Sequence, residues 1–389
     1  MEGRKMNSMR SLLRIVALGI MVTAATTPAL AGAHTAGFTP VAPMHHARAF
    51  QTATELLNGD ILVAGGYDGS VFLPGGSGSP VFPDSEIYRL HSGTRTTVAP
   101  MHVARAAAVA VRLEDGRVLV VGGFDAFFNG IASAEIYDPR SNTWTFTGPL
   151  NSPRAEDFVA KLLPGNRVLI AGGYLRGFPF IALASSEIWD SRTNRWTVAA
   201  PMNSPRGEAA WTELKNGRVL ITGGVAADGS PLNSAEIYDP ARGSWSLTGS
   251  MNVQREDHSA VLLLNGKVLV AGGEVGGTVR TPTAELYDPK TGTWSLTGSM
   301  TAPRNETEWA TVRLPDGDVL VTGGFVAEET PQSSADLYNP TTGTWSSAGS
   351  MSSPRAGHTA VLLRGNRGVL VMGGLFIPPS STSSADIYR

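Results

Sequence analysis

The chain has 389 residues, a formal net charge of −2 and no cysteine. Near-neutrality removes any chain-wide case for nucleic acid or an anionic membrane surface, both of which need a basic face. The missing cysteines exclude disulfides, thiolate metal sites and a cysteine nucleophile. Charged residues are 16% of the chain, while 45 glycines and 25 prolines stand at turn-like places, a composition of many short strands joined by tight turns, with almost no helix.

In chain order the first feature is a leader. Arg4, Lys5, Arg10 and Arg14 precede an apolar run from Ile15 to Val22 that ends at Ala29-Leu30-Ala31. This is the layout of a bacterial-type secretory signal peptide over residues 1–33, since the run falls short of the roughly 20 apolar residues that span a bilayer. The expectation is an exported, periplasmic or extracellular product that begins near Gly32, with no membrane span after cleavage.

Beyond the leader one pattern recurs seven times: a short apolar strand that stops at a glycine pair, as in Asp115 to Gly123, D-G-R-V-L-V-V-G-G. The other pairs begin at Gly65, Gly172, Gly223, Gly272, Gly323 and Gly373, spaced 49 to 57 residues apart, so residues 34–389 are an array. In the copy from Met251 to Ser299, His258 to Leu264 is a first strand, Asn265-Gly266 a tight hairpin turn, and Lys267 to Ala271 a second strand. Ala284 to Tyr287 is a third strand, the Asp288-Pro289-Lys290-Thr291-Gly292 turn follows, and Trp294 to Leu296 is the fourth. Four strands this short cannot bury both faces alone. Each sheet must stack on its neighbours, and seven around an axis make an all-β, seven-bladed propeller.

The register is tight. An acid on the third strand precedes an aromatic on the fourth by nine residues in Glu135/Trp144, Glu187/Trp196, Glu236/Trp245, Glu285/Trp294 and Asp336/Trp345, which places each Trp between adjacent blades. Glycine pair, acid-apolar-Tyr-Asp-Pro, Trp, then Met and Arg: this succession resembles the kelch repeat and covers nearly everything after the leader. The resemblance implies the propeller fold. It leaves function open, because kelch propellers serve as binding adaptors, structural proteins and a few enzymes.

The last repeat stops at Arg389 with no Trp strand. Phe38 lies six residues before Met44, as Trp294 does before Met300, so residues 34–43 are expected to complete the final blade and hide two free edges. Arg95 stands where the first blade should carry Trp, which makes that blade the expected weak one.

Strand parity sorts the loops. The Asn-Gly and Asp-Pro turns share one end, short and uniform. The loops after each glycine pair and the Met-x-x-x-Arg links share the other, where the repeats differ. There Arg48, Arg105, Arg154, Arg206, Arg255, Arg304 and Arg355 precede the innermost strands, closely followed by Glu156, Asp157, Glu208, Glu256, Asp257, Glu306 and Glu308, with His258 and His358. Two readings stand: a lattice of ion pairs between blades, or a polar funnel for a ligand. In adaptor-type kelch domains the matching arginines line a peptide pocket, which is what the resemblance adds. The acids, concentrated in blades three to six, argue against simple anion capture and leave a cationic, polyol or metal-bridged ligand open. Aromatics crowd the post-glycine loops of the first three blades, Tyr67, Phe72, Phe82, Phe124, Phe127, Phe128, Tyr174, Phe178 and Phe180, and suit contact with a peptide or sugar. The long first loop, residues 67 to 85, has the composition of a flap or of a solvated insertion.

The expected function is an exported, monomeric binding module for a protein, peptide or glycan, with the ligand over the channel and neither metal nor cofactor. Galactose oxidase, an enzymatic relative by architecture, needs a tyrosine cross-linked to cysteine, which this chain cannot form. The alternative is a kelch-type sialic-acid epimerase, with Glu208 or Glu306 as acid/base and Arg206 or Arg255 as carboxylate clamp. The histidines show no H-E-x-x-H or similar spacing.

Overall fold

The computed structural model describes residues 37–69, 81–90, 92–175, 181–326, 330–376 and 380–389. The leader, Phe72, Phe178, Phe180 and most of the long first loop lie outside them. The described strands form seven four-stranded antiparallel sheets arranged as the blades of a propeller. Blade 1 comprises Thr52–Glu55, Ile61–Ala64, Ser85–Arg89 and Thr94–Val98, from the axis outward. The innermost strands of blades 2 to 7 are Val109–Arg112, Ala155–Leu163, Ala210–Glu213, Ser259–Leu262, Thr311–Arg313 and Thr359–Leu362.

Each second strand reads as an unbroken apolar run because both of its faces meet a neighbouring blade. Ile61–Ala64, Val118–Val121, Val268–Ala271 and Val369–Met372 are buried at every residue. Between blades 2 and 3, Leu119, Val121 and Ile136 interlock with Phe158, Val168, Ile170 and Trp196. The fourth-strand tryptophans serve the same seam. Trp245 lies 5.1 Å from the Tyr238 ring within its blade, and the indole N–H of Trp294 donates to the Gly249 carbonyl of the preceding blade at 2.7 Å.

The expected closure is present. Phe38–Val41 pairs antiparallel with Ala385–Tyr388, Phe38 opposite Tyr388, with the two rings 5.0 Å apart. That is the spacing of the Tyr–Trp pairs elsewhere, so Phe38 fills the missing Trp position. Blade 1 keeps its fourth strand too. Arg95 pairs in register with Tyr88 and sets its guanidinium 5.7 Å from that ring's centroid, a cation–π contact in place of Trp packing.

The glycine pairs fasten blade to blade. The second glycine's N–H donates to the carbonyl of the next blade's arginine in all seven cases, from Gly66 to Arg105 at 2.9 Å round to Gly374 to Arg48 at 2.8 Å. Gly122 shows why the first position admits no side chain: φ is +61°, and an added Cβ would sit 2.6 Å from the Arg154 carbonyl oxygen. The antiparallel order puts these seams and the arginine links at one end of the channel, the ring end, and the Asn-Gly and Asp-Pro turns at the other.

Candidate functional site: the ring end of the channel

The seven arginines are at most 1% exposed. In each, one guanidinium nitrogen donates to the carbonyl of its blade's first glycine, as Arg255 Nη1 does to Gly272 at 2.8 Å. The other reaches the third-strand acid of the same blade: Arg105–Glu135 at 3.1 Å, Arg154–Glu187 at 3.1 Å, Arg206–Glu236 at 3.1 Å, Arg255–Glu285 at 3.0 Å, Arg304–Asp336 at 3.3 Å and Arg355–Asp386 at 2.8 Å. Arg48 differs in using Asp84. The same carboxylates accept the N–H groups of the incoming link, Glu285 those of Asn252 and Val253 at 2.8 and 3.0 Å.

The arginines therefore hold each link onto its own blade. The expected pairing between blades with the acids just behind the arginines is corrected, and the guanidinium groups offer a ligand no surface. His258 is equally enclosed: it is 0% exposed, and its Nε2 meets Thr222 Oγ1 at 2.8 Å. Burial and then Arg255 push its pKa well below the usual imidazole value, so it stays neutral.

Those following acids form a different structure. Two residues beyond each arginine the chain turns into the left-handed region, at Phe50, Ala107, Glu156, Glu208, Asp257, Glu306 and Gly357, with φ between 48° and 58°. These positions form a ring around the axis. Where the bonds are well formed, each N–H donates to the carbonyl of the preceding member, from Phe50 to Gly357 at 2.9 Å, Ala107 to Phe50 at 2.9 Å and Asp257 to Glu208 at 3.1 Å. Left-handed backbone costs an L-residue about 1–2 kcal/mol, so the ring makes six side chains face one another at that expense.

The ring is two-sided. Blades 3 to 6 contribute Glu156, Glu208, Asp257 and Glu306, joined by Asp157 and Glu308, while blades 7, 1 and 2 contribute Gly357, Phe50 and Ala107. Beside the acids, Phe50 and Trp309 meet edge to face, with centroids 5.9 Å apart and planes at 84°. Together with Phe50 and Trp309, five of these acids enclose a narrow space of about 10 Å³, room for about one water. The same two rings and Glu308 also wall a cavity of about 280 Å³ between the innermost strands of blades 6, 7, 1 and 2, where Ala53, Ala107, Ala110, Thr311 and Ala360 leave the channel wide.

The electrostatics follow from this crowding. Asp257 is 4% exposed. Its pKa is raised well above the usual carboxylate value by burial, then by Glu208, Glu306, Glu308 and Asp157. Glu306 and Glu308 are raised well above theirs by burial and by their fellow acids. Burial and Asp157 push Glu156 up to about 8, and burial pushes Asp157 up to about 7. No cation enters any of these sets of causes. Both Glu308 carboxylate oxygens are shielded from solvent without a well-formed hydrogen bond.

The aromatic expectation divides. Tyr67, Phe124 and Tyr174 are 1–2% exposed and pair with the residue after each arginine, Tyr67 and Phe124 by single bridges and Tyr174 at the end of a strand ladder, so they form the floor under the ring rather than a contact surface. Tyr174, among Glu208, Glu256, Asp257 and Glu156, is raised well above the usual phenol value by burial and then by those acids. Phe128 packs on Phe124 at 4.9 Å, and Phe127 is 70% exposed. Phe50 and Trp309 were not singled out in the sequence. Phe50 carried a signal, since it stands two residues after Arg48 as Glu156 does after Arg154. Trp309 carried none, because a single 3-10 turn at Glu308–Ala310 places it.

The chain belongs to the kelch-repeat family. A family model described as the KLHDC2/KLHL20/DRC7 Kelch-repeats domain matches residues 158–374, and the Kelch motif matches residues 105–151. It is similar to F-box/kelch-repeat protein At2g44130 of Arabidopsis thaliana, 28% identical over 159 residues that cover 39% of this chain and 37% of that protein. It is also similar to Kelch-like protein 35 of Mus musculus, 30% identical over 145 residues, 37% of this chain and 22% of that protein. The matched stretches thus span well under half the length of these relatives. Among solved structures it is similar to a fungal alcohol oxidase of the AA5 family in complex with copper, at a TM-score of 0.69 and 19% identity, with 91% of this chain and 76% of that chain covered. At that identity the likeness is one of fold. The copper belongs to that protein: among the described residues here, no group of three or more His, Cys, Asp or Glu converges to hold a metal ion. No helix among them is long and apolar enough to cross a membrane.

Proposed function

We propose that this chain is an exported recognition module that takes a protein ligand at the ring end of its channel. One observation carries the reading. A half-ring of carboxylates, strained in backbone and crowded against one another, faces an aromatic pair at the end where the repeats differ. Such an arrangement costs stability, and backbone strain and strongly perturbed acids collect where something is bound. The opposite end has self-contained turns, as where the Asn265 side chain accepts the Lys267 N–H at 2.9 Å. Relatives named as Kelch-like and F-box/kelch-repeat proteins favour a protein over a glycan. The epimerase alternative loses support, because its clamps Arg206 and Arg255 are engaged by Glu236 and Glu285.

Peptide and glycan arrays probed with the secreted product test this. A ligand lost with Asp257→Asn or Trp309→Ala and retained with Lys290→Ala supports the ring end. A ligand with the reverse sensitivity, on folded variants, removes it. Export is tested on the same product by mass spectrometry, with an N terminus near Gly32 expected and Met1 retained counting against the leader.

A further inference from the structure

We infer that the group recognised at the ring is an alkyl ammonium, its charge among Asp257, Glu306 and Glu308 and its apolar stem against Phe50 and Trp309. This rests on the ring-end reading above and deepens it.

Three observations meet here. The first is a carboxyl-lined wall: Asp257, though only 4% exposed, lines the space beside the aromatic pair, and burial with four neighbouring acids holds its proton above the usual carboxylate range. An arriving cation would favour the ionised form of these carboxyls and pair with it in a site partly shielded from water, where such interactions are strongest. The second is the aromatic pair in the same lining. Phe50 and Trp309 supply ring faces and edges and no oxygen donors, which suits an organic cation with a hydrocarbon stem. A bare divalent ion needs six or more oxygens for Ca²⁺, or a near-octahedral set for Mg²⁺, and among the described residues no such group converges. The third is size. The adjoining cavity of about 280 Å³ lies just below the roughly 300–1,000 Å³ of small-molecule pockets, and its alanine and threonine walls leave room for one extended side chain.

Ordinary structural roles do not account for the acids. Six third-strand carboxylates are each paired with an arginine, whereas among the described residues Asp257, Glu306 and Glu308 form no ion pair. Nor are acids needed to build the ring, since Ala107 and Gly357 occupy equivalent positions with the same backbone.

The ammonium has two natural sources, a lysine side chain of a partner protein or a free polyamine. The full chain, purified after secretion, is titrated by calorimetry with a lysine-containing peptide, the same peptide Nε-acetylated, spermidine, and CaCl₂ alone. Binding of at least one amine with a Kd of about 1 mM or tighter is expected, with a loss of about tenfold or more on Nε-acetylation. Asp257→Asn and Glu308→Gln should each weaken it by about tenfold while leaving the melting temperature unchanged or higher, which a purely structural role for the acids would not produce. Tighter binding of the lysyl peptide assigns a protein source, and tighter binding of spermidine a free amine. Equal affinity for the acetylated peptide, full affinity in both carboxylate variants, no amine binding at about 10 mM, or calcium competing at the ring would each overturn the inference. If an array ligand depends on Trp309 and yet ignores lysine acetylation, the ring-end reading stands and the ammonium falls. If ligands depend only on the turn end, both fall.

Discussion

Two sets of seven positions, only two residues apart in each repeat, behave in opposite ways. The arginine position is the same residue in every blade, is buried, and is answered in six blades by the third-strand acid and in the first by Asp84. The ring position holds Phe, Ala, Glu, Glu, Asp, Glu and Gly on one shared backbone conformation, and its acids crowd together beside Phe50 and Trp309. The first set shows what the fold demands, because every blade solves the same problem in the same way. The second shows what the fold leaves free: any side chain satisfies the backbone there, so the choice of four consecutive acids must answer to something else.

The largest expected effect breaks the fold on which both sets depend. Deleting residues up to 43 removes Phe38–Val41, its ladder to Ala385–Tyr388 and the Phe38–Tyr388 ring contact, and exposes a free sheet edge in blade 7. Thermal melts of the truncated protein should show a drop of more than about 10 °C or aggregation on expression. An unchanged melt would mean that the ring closes without this strand.

Next comes one member of the first set. Arg255→Ala strips the countercharge from a wholly buried Glu285, leaves the Gly272 carbonyl without its guanidinium donor, and leaves the Thr283 carbonyl with the Gly272 N–H alone. Breaking a buried pair in this way costs about 3–5 kcal/mol, to be read from the denaturant midpoint. A loss below about 1 kcal/mol would mean the repeated arginines do not hold the blades.

The fold was largely legible because its signals are periodic and local. The nine residues from Glu285 to Trp294 fix a hairpin register, and the six from Phe38 to Met44 matched the closing strand to its blade. The arginine partners were not legible for a geometric reason. Arg255 is next in sequence to Glu256 and Asp257, but its side chain points back along its own blade to Glu285, thirty residues on, while the chain turns left-handed at Asp257 and aims that carboxylate at the axis. Adjacent residues on such a turn share no surroundings. The aromatic half of the site was hidden likewise, because Trp309 owes its place to one short turn and the aromatics that the sequence made conspicuous, Tyr67, Phe124 and Tyr174, pack beneath the ring.

The second set should respond in the opposite direction to the first. The unfolded chain releases the Glu156 proton near 4.5, whereas burial and Asp157 hold it in the folded state up to about 8. A raised folded pKa contributes stability that is fully present below pH 4.5 and lost as pH rises through about 8. Melting temperature should therefore fall by about 2–5 °C between pH 5 and pH 9, and Glu156→Gln should flatten that slope while raising stability at pH 8. A melting temperature that stayed level or rose with pH, or a destabilised variant, would mean that the acids carry countercharges of their own.

The smallest effect is expected at the far end of the channel, and it sharpens the comparison by supplying its control. Lys290 lies exposed in the Asp288-Pro289 turn of blade 5. The turn is held by the Lys290 backbone N–H donating to Asp288 Oδ1 at 2.9 Å and by Gly292 N–H donating to the Asp288 carbonyl at 2.8 Å. Neither bond involves the lysine side chain. Lys290→Ala should thus shift stability by no more than about 0.5 kcal/mol and leave affinity for any ring-end ligand unchanged. The substitution removes a cation, so it also tests whether a ligand responds to the net charge of the whole propeller or to the ring alone. If Lys290→Ala strengthened amine binding as much as Asp257→Asn weakened it, long-range charge would account for the effect, and the acids of blades 3 to 6 would have no special standing.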